Sequence, residues 1–239
     1  MGLAVTPVDP NLPTVAAAPS SAATAYDPAA GREAELDRQL DAYAELGVAA
    51  VAGLDRTTLA GRVAPLREAL RALPDDAGSR ATIGDDGVAF VLVLPGLDLN
   101  DVAPAMRRGP RLGVSVIGRD EMRTYRPVDG VDAPDAPYLL WGIDTGSELC
   151  GVRPEEALVT VRSRGRAPLT AEEGVALTVV RPDVLRPNRC YSLMGSRTGT
   201  NQRVPAVWIS QRRAKLGWCW DRNPHTWLGA ASAAGRVGE

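Results

Sequence analysis

The side chains of this chain that can do chemistry gather between Cys190 and Gly229. Gly195-Ser-Arg-Thr-Gly-Thr200 is a glycine-flanked turn rich in hydroxyls, and Arg203, Arg212, Arg213 and Lys215 follow it. Hydroxyls and turn N–H groups can cradle an oxyanion, and an arginine fork binds sulfate, phosphate or carboxylate in bidentate fashion. Lys215 is the one lysine beside 26 arginines, so it reads as a position that needs a compact ammonium. His225, the one histidine, can move a proton near neutral pH, and Asp221 can orient it or act itself. The expected site therefore binds substrate through Ser196, Arg197, Thr198, Arg203, Trp208, Trp218 and Trp220, with Lys215, Asp221 and His225 as the catalytic groups. The expected activity is that of a cofactor-free enzyme on a small anionic metabolite. Fixed cations stabilise a departing sulfate or phosphate, so substitution or elimination of such a group is the expected reaction.

Other readings of the same residues stand beside this one. Cys150, Cys190, Cys219 and His225 are four soft ligands, which makes zinc binding an alternative, although no Cys-x₂₋₄-Cys pair is present. Cys219 with His225 as base is a possible nucleophile pair, against a buried inert thiol. Four of the five tryptophans lie from Trp208 to Trp227, so a non-catalytic interaction module is a third alternative. Arginines interleaved with tryptophans also suit single-stranded nucleic acid, but a net charge of −2 argues against it. Gly-x-Gly-x-x-Gly, His-Glu-x-x-His and Gly-x-Ser-x-Gly are all absent, and no cofactor is expected.

The elements that must position these groups follow from pattern. Residues 1–28 are rich in Ala, Pro, Ser and Thr without periodicity and read as a disordered tail. A helix is predicted from Arg32, with Leu36, Leu40 and Tyr43 on one stripe and Gly47 as its stop. A second is predicted over 56–73, capped by Asp55 and interrupted by Pro65. Val88–Leu94 reads as a buried strand, Asn100 as the cap of a short helix and Leu112–Ile117 as a strand, an order compatible with a small βαβ unit. Residues 118–137, with three prolines, read as a loop and boundary. Tyr138–Asp144 is predicted as a strand, Pro154 as the first turn of a helix and Thr170-Ala-Glu-Glu173 as a capping box opening a helix to about 180. Cys190–Met194, Val204–Ser210, Leu216–Trp220 and Trp227–Ala230 read as strands. The fold class is α+β: a tail over 1–28, a helical and α/β part over 29–130, and a mostly antiparallel C-terminal domain over 131–239 that carries the site.

The block Cys190, Gly195–Arg197, Pro205–Ser210, Lys215–Trp220, Asn223–Gly229, Ala231-Ser232 and Arg236 resembles a family of actinobacterial proteins of unknown function. The likeness extends more weakly to Asp144, Pro154–Ala157 and Arg166–Glu173, while Cys150 falls outside it. The resemblance implies a shared fold and site and names no reaction. The arginine-heavy, lysine-poor usage fits a GC-rich actinobacterial genome, and secondary metabolism is the expected setting. Three widely spaced cysteines, no signal-like N-terminus and no run of 18 apolar residues imply a cytoplasmic protein away from the membrane. A homodimer or a small partner subunit completing the site stays open.

Overall fold

The computed structural model describes residues 25–75, 84–199 and 201–238. Most of the segment expected as a tail, residues 1–24, lies outside the described residues. Just after it, the Tyr26 ring lies under the Arg181 guanidinium, 3.6 Å from its carbon to the ring centroid. The elements are α+β throughout, with helices first and a strand-rich C-terminal region.

Helix α1 (Arg32–Glu45) buries Leu36, Leu40 and Tyr43, the residues of its apolar stripe. It stops where Gly47 takes a φ of 83°, which a residue without Cβ adopts at little cost. A short α2 (Val48–Val51) leads to α3 (Arg56–Val63), whose first turn is capped by the Asp55 carboxylate accepting from Thr58 N at 2.7 Å. Pro65 cannot donate within a helix, so the predicted 56–73 helix is divided and α4 (Leu66–Ala72) starts behind it.

Strand β1 (Gly87–Val93) is followed by α5 (Leu99–Val102). The cap of α5 is Asp98, which accepts from Asn100 N at 3.0 Å. Asn100, expected as the cap, is buried inside the first turn, because the helix begins two residues earlier than predicted. Strand β2 (Val114–Ser115), α6 (Arg119–Met122), β3 (Arg126–Pro127), β4 (Tyr138–Asp144), α7 (Pro154–Ser163), β5 (Ala167–Pro168) and α8 (Ala171–Val180) follow. The chain ends in β6 (Cys190–Ser192), β7 (Ser196–Arg197), β8 (Arg203–Ser210), β9 (Arg213–Trp220), β10 (Leu228–Ala230), β11 (Ser232–Ala233) and β12 (Gly235–Val237).

The strands divide between two main sheets. One runs β1-β4-β11-β5, with β12 also on β4; the other runs β10-β6-β8-β9-β2; β3 and β7 form a separate pair. The strand–helix–strand order of 88–117 is present, but β1 and β2 enter different sheets and do not pair as a βαβ unit would. The second sheet is antiparallel at its centre, β6-β8-β9, and parallel at both edges. The β8–β9 hairpin turns through Gln211 (φ 52°) and Arg212 (φ 62°), so two side-chain-bearing residues take the left-handed region that Asn-Gly usually fills.

Helix α8 packs against both β1 and β8, which places it between the sheets. Its sequence is apolar on every face after Glu173, and all its residues but Glu172 are buried. Among the described residues no helix is long and apolar enough to cross a membrane.

Strand β1 has β4 on one side only, so its other edge needs partners. Helix α1 supplies them from its buried stripe. The Gln39 amide donates to Phe90 O at 3.2 Å and accepts from Leu92 N at 2.7 Å, while the Tyr43 hydroxyl donates to Leu92 O. Gln39→Leu leaves two buried backbone groups without partners. The expected loss is about 2–6 kcal/mol, at about 1–3 kcal/mol per orphaned group. The measurement is a urea midpoint that falls with an unchanged slope; an unmoved midpoint contradicts the edge-closing role.

Candidate functional site

A cleft of about 480 Å³ opens where α8 begins. The loop after β1 (Pro95–Leu99), the segment from Met122 to Pro127, Ala133–Asp135, Thr170, Glu172 and Ser196 line it. Its size falls within the range of small-molecule sites.

Backbone packing sets this geometry. Gly195 N donates to Leu169 O at 2.8 Å, and a Cβ at Gly195 would stand about 2.6 Å from the carbonyl oxygen of Pro168, so only glycine permits the approach. The next residue, Ser196, therefore lands on the start of α8, where its hydroxyl accepts from Ala171 N at 2.9 Å. Strand β7 pairs with β3 in the register Arg126↔Arg197 and Pro127↔Ser196, which brings Arg126 to the same wall. The predicted capping box is complete: Thr170 accepts from Glu173 N at 3.3 Å and Glu173 accepts from Thr170 N at 2.7 Å.

Glu172 faces the cleft from the first turn of α8. Its Oε1 accepts from Gly96 N at 3.1 Å, and burial holds its carboxyl above the usual glutamate range. The mouth carries two guanidinium groups. Arg126 Nη1 donates to the carbonyls of Arg123 and Tyr125, at 2.6 and 2.7 Å, and Arg126 has no carboxylate partner among the described residues. Arg123 is two-thirds exposed and lies 3.6 Å from Asp98, which is already held by Arg119 at 2.8 Å.

Of the residues predicted from the sequence, Ser196 lines this cleft; several others form the layer behind it. Arg197 donates to Met194 O and Ser196 O and to the Asp221 carboxylate, each at 3.0 Å. Burial lowers its pKa from the ordinary arginine value, opposed by Asp221. Arg203 pairs with Glu121 at 2.7 Å and lies 4.2 Å from the Trp218 ring centroid. Thr198 is hydrogen-bonded to Thr124. Behind the Tyr125 wall, then, each arginine already has a carboxylate, and Asp221 is an ion-pair partner.

Of the remaining predicted residues, Trp218 and Trp220 stand by Arg203, whose guanidinium carbon lies 4.2 and 5.9 Å from their ring centroids, while Trp208, Lys215 and His225 are not brought to these arginines. Trp218 and Trp220 stack edge to face at 4.9 Å on one face of β9. Trp208 is paired in register with Lys215 and lies over Gly217, so both belong to the opposite face. His225 packs on Trp227 at 5.2 Å, and its carbonyl holds Gly151 N and Leu228 N. Among the described residues no hydrogen bond or ion pair joins Lys215 or His225 to Arg197, Arg203 or Asp221. Strand alternation separates Lys215 from Arg203, because Lys215 pairs with Trp208, five residues along β8 from Arg203; His225 lies beyond β9, before β10 begins.

None of the thiols is activated: Cys190 and Cys219 are buried and Cys150 is half-buried. Cys219 is pushed up to about 12 by burial, with Arg197 opposing, so it stays protonated at neutral pH. Burial also raises Cys150 and Cys190. Among the described residues no three His, Cys, Asp or Glu side chains come together as a metal site.

The model of a family of unknown function (DUF5701) matches residues 42–239. The chain belongs to this family. The match takes in every residue lining the cleft as well as the C-terminal block. No curated protein and no solved structure matches the chain.

Within this DUF5701 chain, sequence reasoning missed Arg123, Tyr125, Arg126 and Glu172. The first three lie in the stretch read as a loop and boundary, and loops placed on a rigid scaffold commonly carry function. Glu172 was noticed only as part of a helix start. The signal that could have found it was two adjacent glutamates in one capping box: Glu173 completes the box, which leaves Glu172 for another purpose.

Proposed function

We propose that the chain is an enzyme acting on a small anionic metabolite, and that the substrate lies in the cleft at the start of α8. The observation that carries this is the placement of Glu172, a desolvated carboxylate, in one concave site with the guanidinium groups of Arg123 and Arg126. A base with a raised pKa is suited to take a proton near neutral pH, and an arginine pair is suited to hold a leaving anion.

Elimination of a phosphate or sulfate uses both. Glu172 takes a proton from carbon, the electron pair forms the C=C bond, the C–O bond to the leaving group breaks, and the anion departs against Arg123 and Arg126. The expectation drawn from the C-terminal cations is kept in its chemistry and moved in place, since Arg197 and Arg203 carry Asp221 and Glu121 already. A setting in actinobacterial secondary metabolism belongs to the same proposal and rests on composition.

The interaction-module alternative has less behind it. Among the described residues the exposed large apolar side chains are Val51, Val116, Val159 and Trp220. They stand on α2, beyond β2, on α7 and on β9, and do not form one patch.

Melting curves in phosphate or sulfate against chloride at equal ionic strength test the site. At tenfold over Kd the expected rise in Tm is about 3–6 °C. Arg126→Ala abolishes it. A rise that survives Arg126→Ala, or no rise at all, overturns the assignment.

A further inference from the structure

The inner end of the cleft differs in chemistry from its mouth, and the difference bears on what the substrate carries besides its anion. Three hydroxyl-bearing side chains lie there, each more than nine-tenths buried: Thr170 (3% exposed), Ser196 (4%) and Tyr125 (8%). The fold uses these groups in one sense only. The Ser196 oxygen accepts from Ala171 N and the Thr170 oxygen accepts from Glu173 N. Both O–H groups are left to donate, and among the described residues neither has an acceptor. The Tyr125 hydroxyl turns instead to Glu121, at 3.5 Å, in the layer behind the wall. From the same helix start, Glu172 spends one carboxylate oxygen on Gly96 N and keeps the other.

The inner wall thus presents donors and an acceptor together. Buried polar groups left without partners are costly, so the wall calls for a ligand that supplies both. An ester or ether oxygen accepts but cannot donate. An ammonium donates but cannot accept from Ser196 or Thr170. A hydroxyl does both on one atom.

We propose that the substrate of this cleft is a hydroxylated anion, a small polyol- or hydroxyacid-like molecule whose hydroxyl is read at the inner end by Ser196, Thr170 and Glu172. This rests on the reading that the cleft holds an anion at Arg123 and Arg126, and adds the group that distinguishes one anion from another. A site built to hydrogen-bond a hydroxyl discriminates strongly against the analogue that lacks it.

Calorimetric titration of the whole protein with glycerol 3-phosphate, n-propyl phosphate and inorganic phosphate separates the two levels. The first two share the phosphate and the three-carbon chain and differ in hydroxyls. Glycerol 3-phosphate is expected to bind about tenfold or more tighter than n-propyl phosphate, as expected for one to two hydrogen bonds. Tyr125→Phe removes a hydroxyl that turns to Glu121 and is expected to leave the ratio unchanged, whereas Thr170→Val is expected to bring it towards one. Ser196→Ala tests the same point but also removes the partner of Ala171 N, so its ratio is read only if its melting curve stays cooperative. Equal binding of the two phosphate esters overturns the hydroxyl inference and leaves the anion site standing. Failure of all three probes to bind overturns both.

Discussion

Replacing Arg236 with alanine is expected to cost about 3–5 kcal/mol of stability, the scale for stripping one partner from a buried ion pair. At about 2–4 °C per kcal/mol for a chain of this size, the melting temperature falls by roughly 6–20 °C. Glu173 is fully buried, and its two oxygens carry the whole arrangement. Arg236 reaches them with its fork, at 2.5 Å from Nε and 2.8 Å from Nη2. Tyr138 donates its hydroxyl at 2.9 Å and Thr170 its backbone N–H at 2.7 Å. Burial, with the Glu173 charge beside it, holds the Tyr138 phenol well above the ordinary tyrosine range. Without Arg236 the carboxylate keeps two neutral donors and no counter-charge.

Arg236→Lys retains the charge but not the planar fork and is expected to fall between wild type and alanine. Arg236→Met together with Glu173→Gln removes both charges and is expected to recover much of the loss. A Tm for Arg236→Ala within a degree of wild type means that Glu173 is not the buried carboxylate described. The pair also ties β12 to the start of α8. Because Glu172 is the neighbour of Glu173, the same substitution is expected to loosen the cleft before the protein unfolds.

The starts of helices were legible in the sequence because each has a local chemical cause. Asp55, Pro154 and Thr170-Ala-Glu-Glu173 act within one turn of chain, and all three helices begin where those residues place them. The division at Pro65 is local in the same way. Strand partners were not legible. Val88–Leu94 announces a buried strand by its run of apolar residues, but nothing within it says that β4 is its partner or that Gln39 closes its far edge.

The site followed the same division. A reading by proximity in sequence placed Arg197, Lys215, Asp221 and His225 in one pocket. Pleating sets Lys215 on the opposite face of β9 from Trp218, and Asp221 turns to Arg197. Composition also misled in one respect. The scarcity of lysine and histidine made Lys215 and His225 conspicuous, whereas Arg123 and Arg126 were hidden among many arginines. Arg126 has no carboxylate partner among the described residues and Arg123 has only long contacts, to Asp98 at 3.6 Å and Asp120 at 4.0 Å, a property of the fold that no count of residue types contains.

Glu172→Gln is expected to separate stability from function in opposite directions. Gln keeps the shape and can still accept from Gly96 N through its amide oxygen, so the loop after β1 stays in place. It cannot take a proton from carbon, and loss of a positioned base lowers turnover by about 10²–10⁴-fold. Phosphate release from β-phosphorylated carbonyl compounds, glyceraldehyde 3-phosphate among them, measured over the uncatalysed background, is the activity to follow. Stability moves the other way. Burial raises the Glu172 pKa in the folded protein above its unfolded value, so the fold favours the neutral carboxyl. The stability this confers is complete below the unfolded value, near pH 4, and is lost as pH rises through the raised one. The variant is neutral at every pH. It is therefore expected to melt with wild type near pH 4 and above it at pH 7–8, with the gap opening across the interval between. A residue that serves only to begin α8 gives the reverse, because the ionised carboxylate then interacts favourably with the helix start and its loss destabilises at neutral pH. A variant that melts lower than wild type at pH 7 and keeps full activity overturns the assignment of Glu172 as the base. A gain in stability at neutral pH together with loss of turnover fits a carboxylate held out of water for the reaction.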